Sequence, residues 1–260
     1  MRISCFSIKP VKVFISLLLV CVTLGFMLSA TDCETVYFGY AIRKVPIYSV
    51  NTDEKKVALT FDAAWGADKT SKIVEILTNE EVGGTFFLVG FWSEKYADKI
   101  KEIDAAGLDI GTHSNTHPKM SQLTSSQIED ELTVSMNLIT SATNKEVRFF
   151  RPPYGDYNDQ LLTVADNLGL QTIQWSVDSL DWKGLSADQI LARVKAGVHN
   201  GAIILFHNNS DNIVEALPQV IAFLKAEGYS MVNLSDLVYK DSYTIDNNGC
   251  LLYTSDAADD

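Results

Sequence analysis

Short apolar runs alternate with longer amphipathic segments throughout residues 53–239, and this alternation constrains the fold more than any other feature. Seven apolar runs have the length of buried strands: Val57–Phe61, Thr85–Leu88, Asp109–Thr112, Arg148–Arg151, Thr172–Ser176, Ala202–Phe206 and Ser230–Asn233. Seven segments have helical periodicity: Lys69–Asn79, Glu94–Ala106, Ser125–Ser141, Asp159–Leu168, Ala187–Val198, Ile213–Glu227 and a short last one from Ser235. Because parallel neighbours need a crossover connection, a helix after each strand predicts a parallel β/α sheet.

The even spacing of these units predicts an α/β fold of one domain, a closed or nearly closed TIM-barrel-like barrel rather than an open doubly wound sheet. Four glycines follow helical segments, where a left-handed cap is wanted: Gly107, Gly169, Gly201 and Gly228. No glycine-rich dinucleotide fingerprint follows the first strand, which disfavours a Rossmann domain. Residues 31–52 are interpreted as a lead-in, in which "VPIYSV" is a candidate edge strand.

The first thirty residues have the pattern of an export signal. A basic front containing Arg2, Lys9 and Lys12 precedes an uncharged apolar run at 13–28, and "LSA" is a tolerable cleavage site. The run is intermediate in length between a signal core and a membrane span, so a cleaved signal peptide and an N-terminal membrane anchor both stay open. Either one predicts an exported domain, secreted or anchored, whose membrane contact is limited to this segment.

The other end of the chain is compositionally distinct. The last residues, "CLLYTSDAADD", show no helical or strand period and resemble the translated sequencing-adapter tails found on some assembled reading frames. We therefore interpret residues 241–260 as a tail, non-native from about Cys250, and assign no function to it. Outside the leader only Cys33 and Cys250 occur, so no disulfide framework is expected.

The formal net charge of −12 limits the classes of partner. Such a charge would repel the phosphates of nucleic acid, which we therefore exclude as a partner. The net charge neither favours nor opposes the binding of a neutral sugar polymer. We expect a monomer.

The unusual polar residues gather at the ends of the predicted strands. They are Asp62, His113, His117, Arg151, Asp178, Asp181 and His207. In a parallel β/α barrel these ends meet at one face, where such enzymes build their sites. We therefore expect one shared site.

Two of these side chains have the spacing of metal ligands. "HSNTH" holds His113 and His117 four positions apart, where both rings reach one side of a helical turn and can share a divalent cation. Loop histidines are more often surface residues. Of the four histidines in the chain, however, three lie at predicted strand ends, which favours a metal; His199 is interpreted as a residue at a helix end.

The other polar residues suit proton transfer. Asp62 follows an apolar strand and needs a charged partner such as Arg151, either as a structural ion pair or to keep it ionised as a base. His207 titrates in the range of a general acid, with Asp181 to orient its ring; a satisfied core histidine is the alternative. Trp182 and Tyr154 are candidate walls of a groove, or buried packing residues.

Five motifs in this order and spacing, "TFDAAWG", "HSNTHP", "RPPYG", "DSLDW" and "LFH", resemble those of the polysaccharide deacetylase family, the NodB-homology domain or carbohydrate esterase family 4. The resemblance covers residues 53–239 and is strongest to sporulation-type polysaccharide deacetylases. It implies a distorted (β/α)7 barrel at 53–240 that removes N-acetyl groups from cell-wall glycan, at N-acetylglucosamine or N-acetylmuramic acid units.

The resemblance also implies a role for each matching residue. The roles are Asp62 as general base, Arg151 as its tether, Tyr154 N–H as oxyanion donor, His207 as general acid, Asp181 as its partner, His113 and His117 as metal ligands, and Trp182, Leu205 and Pro153 as substrate-binding residues. The implied metal is a divalent ion, zinc first, with cobalt, nickel or manganese as alternatives. No organic cofactor is expected.

Ala63 departs from the family pattern, in which a second aspartate supplies a metal ligand. Two neutral imidazoles should bind zinc more weakly than three protein ligands. Asp62 could ligate the metal itself, Asp68 could reach in, or the site could be poorly metallated. A catalytically impaired protein that binds cell-wall glycan is therefore the alternative to an active deacetylase.

Overall fold

The computed structural model of the protein describes Leu18 and residues 43–254. The expectations for a signal peptide or anchor in residues 1–30 and for the first part of the lead-in, up to residue 42, lie outside these residues. Within the described part, no helix combines the length and apolar character of a membrane span.

Parallel strands form the centre of the domain. The strands are β1 (Ser49–Val50), β2 (Lys56–Ala63), β3 (Thr85–Leu88), β4 (Asp109–Thr112), β5 (Phe149–Phe150), β6 (Gln171–Thr172), β7 (Val177–Asp178), β8 (Ile203–His207), β9 (Ser230–Val232), β10 (Tyr243–Ile245) and β11 (Cys250–Tyr253). The main sheet has the order β6-β5-β4-β3-β2-β8-β7, and β9 pairs with the first half of β2. Every pairing in this sheet is parallel, as predicted.

The segment from residue 171 to residue 178 brings the two edges of the sheet together. Its first residues pair with β5, as β6, and its last residues pair with β8, as β7. Between these two pairings, Ile47 takes the place of a neighbouring strand. Its N–H donates to the Thr172 carbonyl at 2.9 Å, and its carbonyl accepts from the Gln174 N–H at 2.7 Å. The sheet is therefore a curled, distorted barrel of seven parallel segments, which confirms the predicted (β/α)7 fold.

Helices follow the strands and cover the outside of the sheet. They are α1 (Thr70–Asn79), α2 (Gly90–Lys95), α3 (Ala97–Ala105), α4 (Ser125–Thr143), α5 (Asp159–Asn167), α6 (Ala187–Gly197), α7 (Ile213–Ala226) and α8 (Leu234–Leu237). Thr124 and Ser186 begin α4 and α6 with capping boxes, each completed by a glutamine three residues later. The single helix predicted for residues 94–106 is wrong in one respect: α2 and α3 are separate, because Tyr96 leaves the helical conformation (φ −124°, ψ 44°).

Side-chain alternation along β2 separates two apolar layers. Val57, Leu59 and Phe61 belong to the large cluster between sheet and helices, where the Phe61 ring stacks on Phe86 and Phe206. Ala58, two residues before Thr60, belongs to the smaller cluster inside the curl. This period of two brings Thr60 and Asp62 to the inner side, so Asp62, near the carboxyl end of the strand, points into the barrel.

A small second sheet, in the order β1-β11-β10, lies outside the main one. The candidate edge strand in "VPIYSV" is present as β1, but it pairs with β11. The expectation that residues from about Cys250 have no strand character is wrong for Cys250–Tyr253, because Leu251 is fully buried against the domain. Whether these residues are native stays a prediction.

Candidate active site

A cavity of about 640 Å³ opens at the carboxyl ends of the strands. Six of the seven polar residues singled out in the sequence line it: Asp62, His113, His117, Asp178, Asp181 and His207. Arg151, the seventh, is fully buried and contacts Asp62. The prediction that these side chains share one site is therefore confirmed.

Asp62 and Arg151 form a buried ion pair at the floor of the cavity. Arg151 Nη1 donates to Asp62 Oδ1 at 2.8 Å and to Thr60 Oγ1 at 2.9 Å, and Nη2 donates to the Gln174 carbonyl at 2.9 Å. The guanidinium also lies 4.2 Å from the centre of the Phe87 ring. These contacts fix the guanidinium plane, and with it the direction of the Asp62 carboxylate.

The environment keeps Asp62 ionised. Burial alone would raise the pKa of this carboxyl, but the charge of Arg151, followed by His113 and His207, outweighs burial and holds the pKa below its ordinary value. Oδ1 is bound to Arg151, whereas Oδ2 lies 3.5 Å from His113 Nε2. Asp62 therefore presents one committed oxygen and one oxygen that can accept a proton.

His113 is held in a single tautomer. Its Nδ1 lies 2.7 Å from the Arg151 carbonyl oxygen. Because a carbonyl only accepts, Nδ1 carries the hydrogen and Nε2 keeps its lone pair. Burial lowers the pKa of His113, which keeps the ring neutral, as a metal ligand must be.

Of the three histidines that line the cavity, His117 has the fewest hydrogen-bond partners for its ring nitrogens. Its ring centre lies 4.9 Å from that of His113, nearly edge-on, and its buried Nδ1 has no partner within the described residues. Burial, and then the neighbouring His113, lower its pKa to about 4. The backbone of His117 is left-handed, with φ 61°, which is uncommon for a residue with a side chain.

This donor set fits a divalent metal ion held by two protein ligands. Two neutral imidazoles lie side by side, and one has a buried nitrogen with no other partner. No third histidine, cysteine, aspartate or glutamate completes a metal cluster in residues 43–254. Ala63 is fully buried among apolar side chains, and Asp68 is exposed outside the cavity lining, so neither supplies the missing ligand.

His207 lies beside Asp62, on the neighbouring strand β8, and is held by Asp181. Asp181 Oδ2 accepts the backbone N–H of His207 and Oδ1 accepts its Nδ1–H, both at 2.8 Å. Burial would lower the pKa of His207, but the hydrogen bond and charge of Asp181 outweigh it and raise the pKa above its ordinary value. Nε2 of His207 is thus left to serve as a proton donor to a bound molecule.

The loops supply the remaining walls. Tyr154 has a left-handed backbone (φ 61°, ψ 7°), and its ring centre lies 4.6 Å from that of His117. Trp182 and Leu205 line the cavity as expected. Pro153 is buried and is not among the residues that line the cavity; it belongs to the turn that presents Tyr154, and its contact with substrate stays a prediction.

Several cavity residues were not singled out in the sequence. They are Trp65, Trp175, Asn208, Asn209, Ser210 and Asp211. Trp65 lies within "TFDAAWG", and Asn208 to Asp211 directly follow His207, so closeness to a motif was the one available signal. His199 is exposed and bonds to Ser176 and Asn200, in agreement with its interpretation as a residue outside the site.

Comparison with known proteins agrees with this geometry. The family described as Polysaccharide deacetylase matches residues 49–173. The chain is 34% identical over 201 residues to the peptidoglycan-N-acetylmuramic acid deacetylase PdaA of Bacillus subtilis, and the match covers 74% of this chain and 75% of that protein. This protein belongs to the polysaccharide deacetylase family.

Two further relatives bear on what this deacetylase-family chain does. It is 32% identical over 198 residues to the uncharacterized protein YlxY of B. subtilis, covering 76% of this chain and 62% of that protein. The crystal structure of BA3943, a CE4 family pseudoenzyme from Bacillus anthracis, matches with a TM-score of 0.72 at 37% identity, over 81% of this chain and 73% of that one. A BA3943 mutant is described as having restored enzymatic activity.

Proposed function

We propose that this protein is an exported hydrolase that removes N-acetyl groups from cell-wall glycan, at N-acetylglucosamine or N-acetylmuramic acid units of peptidoglycan or a related polymer. One observation carries the proposal: an ionised carboxylate and a carboxylate-bound histidine flank the same cavity. Amide hydrolysis needs this combination, because a proton must leave the attacking water and another must reach the departing amine.

Asp62, Tyr154 and His207 each perform one part of the reaction. Asp62 Oδ2 accepts a proton from water, whose oxygen bonds to the acetyl carbon. The Tyr154 N–H stabilises the oxyanion that forms. His207 Nε2–H then gives its proton to the sugar nitrogen as the carbon–nitrogen bond breaks. Acetate and a free amine leave, and no covalent enzyme intermediate forms.

His113 and His117 would hold the divalent metal, for which zinc is the first candidate because two imidazoles suit it. When bound, such an ion lowers the pKa of water and polarises the amide oxygen. A water of lowered pKa would suit Asp62 as its base, because Asp62 is ionised but is a weak base, since Arg151 lowers its pKa.

A second candidate function is supported by Ala63. Without a third protein ligand the site can retain its groove and lose turnover, which would leave a protein that binds cell-wall glycan. The similarity to the pseudoenzyme BA3943 supports this alternative. The intact Asp62–Arg151 and Asp181–His207 pairs support the hydrolase, because glycan binding alone requires neither a base nor an acid.

Acetate release separates the two functions. The purified full chain is incubated with acetylated chito-oligosaccharide or peptidoglycan, with zinc, cobalt, nickel or manganese added in turn. The hydrolase predicts acetate with at least one metal. A folded protein that releases none with any of them, yet sediments with peptidoglycan, would establish the binding function instead.

Export and a role in sporulation are part of the proposal and rest on the sequence alone. The basic front and apolar run of residues 1–30 support export. The "TFDAAWG" motif supports the sporulation type. Cell fractionation with an antibody against the domain tests export: a signal confined to the cytoplasm would refute it.

A further inference from the structure

The loop that carries two of the site histidines has an unusual backbone. His113 directly follows β4, and His117 lies four residues later. Two residues of this loop are left-handed without being glycine: Ser114, with φ 68°, and His117, with φ 61°. Left-handed residues that carry side chains are uncommon, and they persist only where the surrounding structure holds them. The conformation that brings the two imidazoles together therefore needs contacts from outside the loop.

One set of contacts comes from Glu131, on helix α4. Its Oε2 accepts the backbone N–H groups of Asn115 and Thr116, both at 2.8 Å, and its Oε1 accepts the Thr116 hydroxyl at 2.6 Å. Asn115 and Thr116 are the two residues between the left-handed positions. Hydrogen bonds to a carboxylate are about twice as strong as those between neutral groups. A single side chain therefore holds the middle of the loop.

The other side of the loop is bound by helix α2. The N–H groups of Gly90 and Phe91, at the start of this helix, donate to the Ser114 and Asn115 carbonyls at 2.9 and 3.2 Å. A Cβ on Gly90 would overlap Asn115 Oδ1, so the helix packs tightly on the loop. The loop thus lies between two elements: α2 binds its carbonyls, and Glu131 binds its N–H groups.

Helix α4 is anchored where Glu131 leaves it. Ser135, one turn later on the same face of the helix, accepts the hydroxyl hydrogen of Thr112 at 2.7 Å, and Thr112 directly precedes the loop. Ile128 and Leu132, on either side of Glu131 in the chain, are fully buried in the core. Glu131 therefore reaches the loop from a fixed position.

The charge of Glu131 has no other partner in the part of the chain that the structure describes. Within residues 43–254, no basic side chain forms a salt bridge with it. The neighbouring acidic residues of α4, Glu129 and Asp130, are exposed and make none of the loop contacts. Glu131 thus differs from the solvated acids around it, and its contacts are confined to the histidine loop.

We propose that Glu131 is a positioning residue that holds the loop of His113 and His117 in the conformation required by a divalent ion, and so sets how tightly the ion binds. Its oxygens bind the loop backbone and the Thr116 hydroxyl rather than an imidazole. Without this carboxylate the left-handed residues can relax and the two rings can separate. Part of the binding free energy of the ion is then used to restore the loop. The inference rests on the part of the proposed function that assigns a metal to these histidines.

Calorimetric titration with zinc of the full chain, stripped of metal with a chelator, tests this role. Glu131→Ala is expected to weaken zinc binding about tenfold, because nothing then holds the middle of the loop before the ion arrives. Glu131→Gln keeps the shape, and its amide can accept the N–H groups and donate to the Thr116 hydroxyl, so it should retain most of the affinity. Glu129→Ala is the matched control: the same substitution, at an exposed glutamate of the same helix, should leave the affinity unchanged.

A second control separates positioning from a general loss of stability. Ile128→Val shortens a buried side chain of α4 and should lower the melting temperature without weakening zinc binding. Glu131→Asp keeps the charge on a side chain one methylene shorter, and it should weaken zinc binding several-fold even where Glu131→Ala does not fold. Wild-type affinity in Glu131→Ala or Glu131→Asp would overturn the proposal, as would an equal loss in Ile128→Val.

Acetate release from acetylated chito-oligosaccharide, measured on the same preparations, distinguishes this proposal from the proposed hydrolase. Zinc binding that depends on Glu131, in a protein that releases no acetate, would support the positioning role and refute the hydrolase. Acetate release with zinc binding that is independent of Glu131 would support the hydrolase and refute the positioning role. A wild type that binds no zinc would refute the positioning role together with the metal assignment.

Discussion

The two halves of the cavity differ in how completely their side chains are held. The proton-transfer half consists of the pairs Asp62–Arg151 and Asp181–His207, in each of which a carboxylate contacts its partner at 2.8 Å. The metal half consists of His113 and His117 beside Ala63. Its His117 Nδ1 is buried with no partner among the described residues, and no third acidic or sulfur ligand completes it.

The difference shows that the two halves are separable in this chain. Burying a charge without a partner is costly, so the paired groups of the proton-transfer half stabilise one another and fix their own geometry. The metal half depends on a bound ion to provide a partner for its buried polar groups. We therefore expect the proton-transfer half to set the rate once a metal is present, and the metal half to set how much metal is bound.

The largest expected effect comes from separating the halves by mutation. His207→Ala should lower turnover by about 10²–10⁴-fold, the usual contribution of a general acid, with zinc content unchanged. His113→Ala should lower both turnover and zinc content. Acetate kinetics and metal analysis of the same preparations measure this. Equal metal loss in the two variants would show that the assignment of His207 to proton transfer and His113 to metal binding is wrong.

A smaller effect is expected on stability. Asp62→Asn leaves the buried Arg151 charge without its partner, and losing one member of such a pair costs about 3 kcal/mol of unfolding free energy. Urea denaturation measures the change. Asp68→Asn is the control, since Asp68 is an exposed aspartate in the loop that follows β2 and should change stability by less than about 0.5 kcal/mol. Equal effects of the two substitutions would contradict a structural role for the ion pair.

Restoring a carboxylate at position 63 should strengthen the metal half. Ala63→Asp is expected to tighten zinc binding about tenfold or more, since a charged third ligand is added. Because Ala63 is buried among apolar residues, the metal-free variant should also melt at a lower temperature and recover when zinc is added. Ala63→Asn introduces a side chain of the same shape as aspartate without its charge, and it should gain much less zinc affinity. Equal zinc affinities of the two variants would contradict the claim that the absence of a charged ligand at position 63 weakens zinc binding.

The smallest expected effect is a shift in pH dependence. Asp181 raises the pKa of His207, and His207 must be protonated to act as the acid, so activity should fall as pH rises through that raised pKa. Asp181→Asn removes the charge and should move the alkaline limb of the profile to lower pH. An unmoved alkaline limb in that variant would mean that another group titrates there.

Most of the fold could be predicted because apolar periodicity reports burial directly. The predicted strand at Val57–Phe61 lies within β2, and Thr85–Leu88 matches β3 residue for residue. The site followed from the fold, since strand ends in a parallel barrel meet at one face. Asp62, His113 and His207 are predictable in this way because each lies at or directly after the carboxyl end of a strand.

What could not be predicted depends on contacts between distant residues. Ile47 fills the gap beside residue 173 through two backbone hydrogen bonds that have no sequence signature. The exposure of Trp65 comes from a loop pinned by Trp92 and Asn208, far away in the chain. Strand β11 could not be predicted because its pairing with β1, far earlier in the chain, and with β10 decides its structure.

The most direct test is the rate of acetate release from acetylated glycan as a function of free zinc, after the protein has been stripped of metal with a chelator. The account predicts no release without metal, a rate that rises with zinc to a plateau, and half-saturation at a higher zinc concentration in the wild type than in Ala63→Asp. A rate that stays the same in the stripped and the zinc-loaded protein, and survives His113→Ala, would contradict it.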